Sequence, residues 1–207
     1  KTSMPDHEKN RCPWCEAQPD YKIYHDSEWG VPIYDDEKLF ETLLLETFQA
    51  GLNWLTILRK RENFRKAFDN FDAQKIARYD EKKIEALCSD RGIIRNRLKI
   101  KAAINNAQMF LNIQQSKLSF GKFLWSFVDH QPIQNTYQSI DQVPTTTALS
   151  DQMSLSLKKH GFKFVGSTIV YAHMQATGMV NDHLVSCFRY KEVNKLGQIS
   201  QEFRPRN

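Results

Sequence analysis

Apolar residues along this 207-residue chain recur at steps of three and four, and strict apolar–polar alternation is scarce. That periodicity specifies helices and leaves little material for a sheet. Asp35 and Asp36 precede Leu39, Phe40, Leu43, Leu44 and Phe48, a helix entered through acidic residues and ended near Gly51. A second helix runs from Trp54 through Ile57, Leu58 and Arg61 to Phe68, and short ones follow near Asp72–Arg78 and Glu81–Cys88 before Gly92 breaks the pattern. Ile100, Ala103, Ile104, Ala107 and Leu111 mark a long core helix, and Phe120, Phe123, Leu124, Phe127 and Val128 another that Pro132 stops. Gln134 to Thr147, with Pro144 and three threonines, reads as a loop; a helix from about Leu149 to Lys159 follows, then Gly161, then a helix to Gly178. The polar, charged residues after Tyr190 read as a poorly ordered tail. The expected fold class is all-α, with one helical domain over 1–190, a tail over 191–207, and both chain ends returning to the same face of the body.

A chain of this length buries roughly 70% of its unfolded surface, so its core needs no staples. No apolar run approaches the ~20 residues that span a bilayer, which argues against a membrane. Lys1 to Asn10 is polar and lacks the apolar centre of a secretory leader. Cys12, Cys15, Cys88 and Cys187 are too few and scattered for a disulfide framework, so a reducing cytoplasm is expected. A formal charge of +5 suits an anionic partner, of which nucleic acid is the commonest.

Tyr21 to Pro32 reads Tyr-Lys-Ile-Tyr-His-Asp-Ser-Glu-Trp-Gly-Val-Pro, too polar for a core strand and too aromatic for a linker. In one reading Tyr21, Tyr24 and Trp29 wall a pocket for a flat ligand while His25 points the other way, toward a metal. In the plainer one, an irregular segment packs its aromatics on a helical body. Cys12, Cys15, His25, His173, His183 and Cys187 are the candidate metal ligands. His183 and Cys187, four apart, share one face if helical, and Cys12 and His25 supply two further donors for a tetrahedral zinc. Cys15 makes Cys12-Pro-Trp-Cys15 a rival pair, and unrelated buried cysteines and histidines are the plainer account.

Leu39, Leu43, Glu46 and Ala50 step by four, three and four, which turns Glu46 toward the core. A carboxylate there needs an arginine or a cationic ligand. Gln49 and Trp54 lie close in sequence. Gly161 and Gly166, with Lys163, Val165, Ser167 and Thr168, form a glycine-bearing turn between helices. Such a turn either offers backbone N–H groups to phosphate or is a solvated basic corner. The basic runs Arg59–Arg61, Arg65–Lys66 and Arg91, Arg95, Arg97, Lys99 and Lys101 either extend a phosphate footprint or solvate helix faces.

Several strings together resemble the bacterial DNA-3-methyladenine glycosylase I family: Tyr24-His25-Asp26-x-Glu28-Trp29-Gly30-Val31-Pro32, Gln49-Ala50-Gly51-Leu52-x-Trp54, Phe123-Leu124-Trp125-Ser126-Phe127, Gly161-Phe-Lys-Phe-Val165-Gly166 and Asn181-Asp182-His183-x-x-x-Cys187. The resemblance covers roughly Cys12 to Tyr190. It implies a compact helix-hairpin-helix glycosylase-like fold with one structural zinc on Cys12, His25, His183 and Cys187, tying the N- and C-terminal segments. It also implies a base pocket of Trp14, Tyr21, Tyr24, Trp29, Glu46, Gln49 and Trp54, with Glu46 and Tyr24 nearest the chemistry. Gly51 and Leu52 would face the gap left by an extruded nucleotide, and Gly161, Lys163, Val165, Gly166, Ser167 and Thr168 would grip the DNA backbone. The implied partner is double-stranded DNA containing alkylated bases, the product free 3-methyladenine, and the acting species a monomer. Where many members of the wider superfamily carry an aspartate, this chain has Asn181, and no lysine nucleophile stands there. A monofunctional enzyme that leaves an unbroken abasic site is therefore expected.

Overall fold

A computed structural model describes residues 9–116 and 118–202, with side chains as far as 198. Ten α-helices lie among them in chain order: α1 (Pro19–Ser27), α2 (Asp36–Gln49), α3 (Trp54–Ala67), α4 (Ala73–Ile76), α5 (Glu81–Ser89), α6 (Arg97–Gln115), α7 (Phe120–Trp125), α8 (Ala148–Lys159), α9 (Ser167–Ala176) and α10 (Phe188–Glu202). The chain packs as two compact units. One takes the described parts of Lys1–Ile33, Val128–Thr145 and Met174–Asn207; the other takes Tyr34–Phe127 and Thr146–His173.

In the larger unit the helix starts follow from short polar residues that satisfy orphan N–H groups. The side chains of Asp35, Asn53, Asp80, Asn96 and Ser119 accept from the amides of Lys38, Thr56, Lys83, Lys99 and Lys122, and Thr147 and Ser150 make a capping box. The apolar positions then meet. Leu39, Phe40, Leu43, Leu44 and Phe48 of α2 are buried with Ile100, Ala103, Ala107 and Phe110 of α6. Phe40 and Phe110 have ring centroids 4.6 Å apart, Phe110 and Phe120 5.1 Å, and Phe48 and Phe64 4.8 Å. Asp36 ties α7 to the start of α2, accepting from the amides of Phe120 and Gly121 and from the Ser119 hydroxyl. Burial opposes its ionisation, yet those bonds outweigh it and hold the carboxyl below its usual range.

In the smaller unit, β1 (Ile133–Gln134) and β2 (Val180–Asn181) pair in parallel, Ile133 opposite Val180 and Gln134 opposite Asn181. This ladder lies partly within the stretch read as a loop, and two residues per strand are too few to produce a readable alternation. The Phe188 amide donates to Asn10 O at 2.9 Å, so the N-terminal arm and the last helix are joined.

Two expectations are corrected in this unit. Tyr21 to Pro32 is not irregular at its start, because α1 covers it to Ser27, opened by Pro19 in the first turn, where its missing N–H costs nothing. The residues after Tyr190 are not a loose tail to the extent described: α10 continues to Glu202, with Val193 1% exposed. The rest of that expected tail, 203–207, and residues 1–8 of the polar start lie outside the described residues.

Candidate functional site

Helix α1, the arm before it and the turn before α10 bring Cys12, His25, His183 and Cys187 together, all buried, with ligand atoms within 4.8 Å of one another. Cys187 Sγ is 3.5 Å from His25 Nε2 and 3.7 Å from His183 Nδ1; Cys12 Sγ is 3.8 Å from His183 Nδ1. Donors bound at zinc distances around a tetrahedron sit about 3.3–3.8 Å apart, so the set fits such an ion. The remaining ring nitrogens are spoken for. His25 Nδ1 meets Asp26 Oδ1 at 2.8 Å, and His183 Nε2 meets the Trp29 carbonyl oxygen at 3.0 Å. Each imidazole therefore donates outward and turns its other nitrogen toward the sulfurs, the arrangement found behind metal-bound histidines.

Arg11, 7% exposed, completes that outer layer: its Nε and Nη2 donate to Asp26 at 3.0 and 2.8 Å. Burial works against the Asp26 charge, but the Arg11 and His25 hydrogen bonds outweigh it and keep the carboxyl below its ordinary value. A hydrogen bond with Cys12, then ones with His183 and His25, hold the Cys187 thiol below its usual value despite burial. Cys15 is buried beside the cluster and donates its S–H to the Cys12 carbonyl at 3.2 Å; it is not among the four convergent donors. His183 and Cys187 do not ride on a helix: the Cys187 amide donates to Leu184 O at 2.8 Å in a turn that precedes α10. Asn181, fully buried, shapes this turn by accepting from the His183 amide and donating to Gln134 Oε1 and Tyr190 O.

The aromatics clad this cluster. Trp14 meets Tyr21 edge-on at 5.2 Å and Trp29 at 5.1 Å, and it lies 5.4 Å from the His25 ring. The expectation that His25 points away from these rings is therefore corrected: on a helix Tyr21 and His25, four apart, share a face. Trp29 and His25 are stacked at 6.4 Å. Tyr24, 6% exposed, belongs to the same unit.

Glu46, Gln49, Gly51, Leu52 and Trp54 belong to the larger unit. Glu46 is 3% exposed, and its Oε2 has no hydrogen-bond partner. No arginine or lysine pairs with it among the described residues, and burial pushes its carboxyl up to about 8. The apolar setting follows from its neighbours, since Leu43 to Phe48 are all buried. Helix α2 then ends in a tight turn. Ala50 has φ −47° and ψ 118°, Gly51 has φ 79°, and the Leu52 amide donates to Gln49 O at 2.6 Å. These are type II values, which require a residue such as glycine in third place. Leu52 is 43% exposed at the tip, and Asn53 starts α3, whose first residue is Trp54.

The segment from Gly161 to Thr168 joins α8 to α9. Gly161, with φ 88°, closes α8 in a Schellman motif: its amide donates to Lys158 O and that of Phe162 to Leu157 O. The loop is then pinned from α6. Asn106, fully buried, donates to Lys163 O at 3.0 Å and accepts from the Lys163 amide at 2.8 Å, and Asn105 donates to Gly161 O at 2.8 Å. Val165 is 1% exposed, and its carbonyl accepts from Ser154 at 2.6 Å. Lys163 is exposed, and a Cβ built on Gly166 would meet nothing within 4 Å. Ser167 begins α9 with its hydroxyl 2.7 Å from that of Ser150, and exposed Thr168 follows.

Arg11, Asn105, Asn106 and Lys99 give no local signal of these roles, because each acts on a group well separated along the chain. Of the basic runs, Arg65 pairs with Glu41 and Glu62, and Arg97 with Glu81 and Glu85. These charges serve the fold.

Three comparisons bear on this arrangement. A family model described as methyladenine glycosylase matches residues 14–190. DNA-3-methyladenine glycosylase 1 of Escherichia coli is 51% identical over 180 residues, covering 87% of this chain and 96% of that protein. A crystal structure of a 3-methyladenine DNA glycosylase I superposes with a TM-score of 0.85 at 51% identity, over 86% of this chain and 98% of the other. The Staphylococcus aureus enzyme, solved to show its recognition of 3-methyladenine, gives 0.84 at 39% identity, over 87% and 96%. The chain belongs to the methyladenine glycosylase family.

Proposed function

We propose that this protein is a monofunctional DNA glycosylase that flips an alkylated nucleotide out of duplex DNA and hydrolyses the N-glycosidic bond of 3-methyladenine, leaving an abasic site. The observation that carries this is Glu46, a buried carboxylate with an unpartnered oxygen and no cation beside it among the described residues. A group so placed costs several kcal/mol unless a ligand meets it. An adenine methylated at N3 is cationic while attached to deoxyribose, so its base is a good leaving group and needs little help from a proton donor. Glu46 accepts from the adenine edge and complements its charge. A neutral base offers no such gain, and selectivity follows. The family resemblance assigns base contacts to Trp14, Tyr21, Trp29, Gln49 and Trp54, and gives Tyr24 either orientation of the base or stabilisation of charge developing on the sugar; a base stacked on an aromatic ring gains ~1–3 kcal/mol.

Around this chemistry, the hairpin from Gly161 to Thr168 offers backbone N–H groups and Lys163 to phosphates, with Gly51 and Leu52 at the gap left by the extruded nucleotide. Asn181 offers neither a carboxylate nor an amine for covalent attack, since its amide is engaged in the turn. Water is then the nucleophile, and the strand stays intact. The resident metal in this reading is one zinc held by Cys12, His25, His183 and Cys187. Four protein ligands leave no coordination position for water, so its contribution is to fasten the N-terminal arm to the turn before α10. Thiolate ligands suit a reducing cytoplasm, and the protein acts as a monomer on duplex DNA. No helix is long and apolar enough to cross a membrane among the described residues.

The test is to incubate the purified, zinc-loaded protein with methylated duplex DNA, chromatograph the bases released, and size the strands. Free 3-methyladenine with unbroken abasic strands is expected. Absence of released base from folded protein would overturn the reading in favour of a non-catalytic DNA-binding module.

A further inference from the structure

Among the basic residues near the start of α6, Lys99 stands apart. It is 6% exposed, whereas Lys101 and Arg95 lie on the surface. Its ammonium donates to Phe48 O at 2.8 Å and Ala50 O at 2.5 Å. Both acceptors are carbonyls at the end of α2, where a helix has no partners of its own for them. The first turn of α6 is an unfavourable place for a cation, and burial opposes the charge further. What favours it is the negative end of α2, together with two charge-assisted hydrogen bonds.

The second of those bonds falls on a decisive atom. Ala50 and Gly51 are the two central residues of the Gln49–Leu52 turn, and the Ala50 carbonyl belongs to the peptide between them. Types I and II differ by a flip of that peptide, which takes ψ of the second residue from about 120° to about −30° and changes the sign of φ at the third. Gly51 tolerates either sign. Nothing crowds it, since a Cβ built there would meet no atom within 4 Å. The turn's own hydrogen bond, Leu52 N to Gln49 O, forms in both and so selects neither; it opens while the peptide passes between them, so exchange of the Leu52 amide reports how firmly the turn is held. Lys99 therefore selects between them, holding the Ala50 carbonyl inward and fixing the direction in which half-exposed Leu52 projects.

We propose that Lys99 is a positioning residue: by fixing the central peptide of the Gln49–Leu52 turn it sets Leu52 for insertion, and extrusion of the damaged nucleotide from duplex DNA depends on it. This rests on the glycosylase reading above. Removing the ammonium loosens the turn and slows the step in which a stacked nucleotide leaves the helix, while single-stranded substrate, which has no gap to fill, is spared.

The experiment compares wild type, Lys99→Met, Lys99→Arg, Leu52→Ala and the Lys99→Met/Leu52→Ala double variant. Amide hydrogen exchange is read at Leu52, and single-turnover excision of 3-methyladenine is read from duplex and from single-stranded DNA. In Lys99→Met the Leu52 amide should exchange faster by about tenfold or more, and duplex excision should fall about 10–100-fold, the loss expected for the one charge-assisted bond that holds the Ala50 carbonyl. Single-strand excision should stay within about twofold, Lys99→Arg should recover most of the duplex rate, and Lys99→Met should cost nothing further once Leu52 is alanine. Equal losses on both substrates, an unchanged duplex rate, or full additivity with Leu52→Ala would overturn the proposal. Should Lys99→Met fail to fold, Lys99→Arg carries the test: its Leu52 exchange and duplex rate should move together, and movement of one without the other contradicts the account. Wild-type protein that releases no base would refute the glycosylase reading instead, and exchange at Leu52 would still report whether Lys99 holds the turn.

Discussion

Glu46 is kept at a cost to the free protein. Its carboxyl titrates near 4.5 in an unfolded chain and is pushed up to about 8 by burial in the fold. Below pH 4.5 both states are protonated and nothing is lost; as pH rises toward 8 only the unfolded state gains by ionising, so stability drains away over that window. The full loss is on the order of 5 kcal/mol. Glu46→Gln cannot ionise, so its stability relative to wild type should climb between pH 4.5 and 8 and then level off. Denaturant melts at several pH values check this, and a difference independent of pH would mean that Glu46 is not buried in the free protein. At the cluster, Asp26 bonds His25 and Arg11 but offers the metal no atom. Asp26→Asn should leave stoichiometry at one zinc while lowering affinity about 10–100-fold in chelator competition.

Among the elements, the hairpin depends on a single asparagine. Asn106 makes both a donor and an acceptor bond to the Lys163 backbone, as a neighbouring strand would. Asn106→Ala should cost ~2 kcal/mol in unfolding free energy and weaken DNA binding at every sequence alike, without altering the affinity for free 3-methyladenine. Thermal melts and DNA titrations at two salt concentrations separate these effects. Most helices were legible beforehand because their signals are local: a capping residue, then apolar positions at helical spacing, as at Asp35 before Leu39 and Thr147 before Leu157. The elements missed lack such signals. Helix α10 is largely polar, with Arg189 and Val193 among its buried residues, and α1 carries its aromatics for the cluster rather than for a core stripe. The convergence of Cys12, His25, His183 and Cys187 was legible through donor type and family resemblance. The parts of its outer layer supplied by Arg11 and the Trp29 carbonyl were not, because hydrogen bonds between separated segments leave no periodicity. The same limit hid Lys99, which looks in sequence like one more surface cation.

For the molecule as a whole, the Cys/His cluster and the buried Glu46 belong to different compact units. The cluster lies in the unit built from the N-terminal arm, the middle segment and the C-terminal helix, where a two-residue ladder is the sheet. The unit with Glu46 holds the larger apolar core. In the proposed zinc-bound protein, removing the ion should raise amide exchange first in residues 10–33 and 174–198, with the amides of α2 and α6 holding their protection. Simultaneous loss throughout would show that the ion sustains the entire fold. The account's central claim, that a buried unpartnered carboxylate reads the charge of the damaged base, is tested most directly by single-turnover excision. Wild type and Glu46→Gln, each shown to be folded and zinc-loaded, are compared on one duplex containing 3-methyladenine. The account predicts a loss of about 10²–10³-fold in the variant, the size expected when one preorganised electrostatic partner is removed. Excision by Glu46→Gln at the wild-type rate would contradict it.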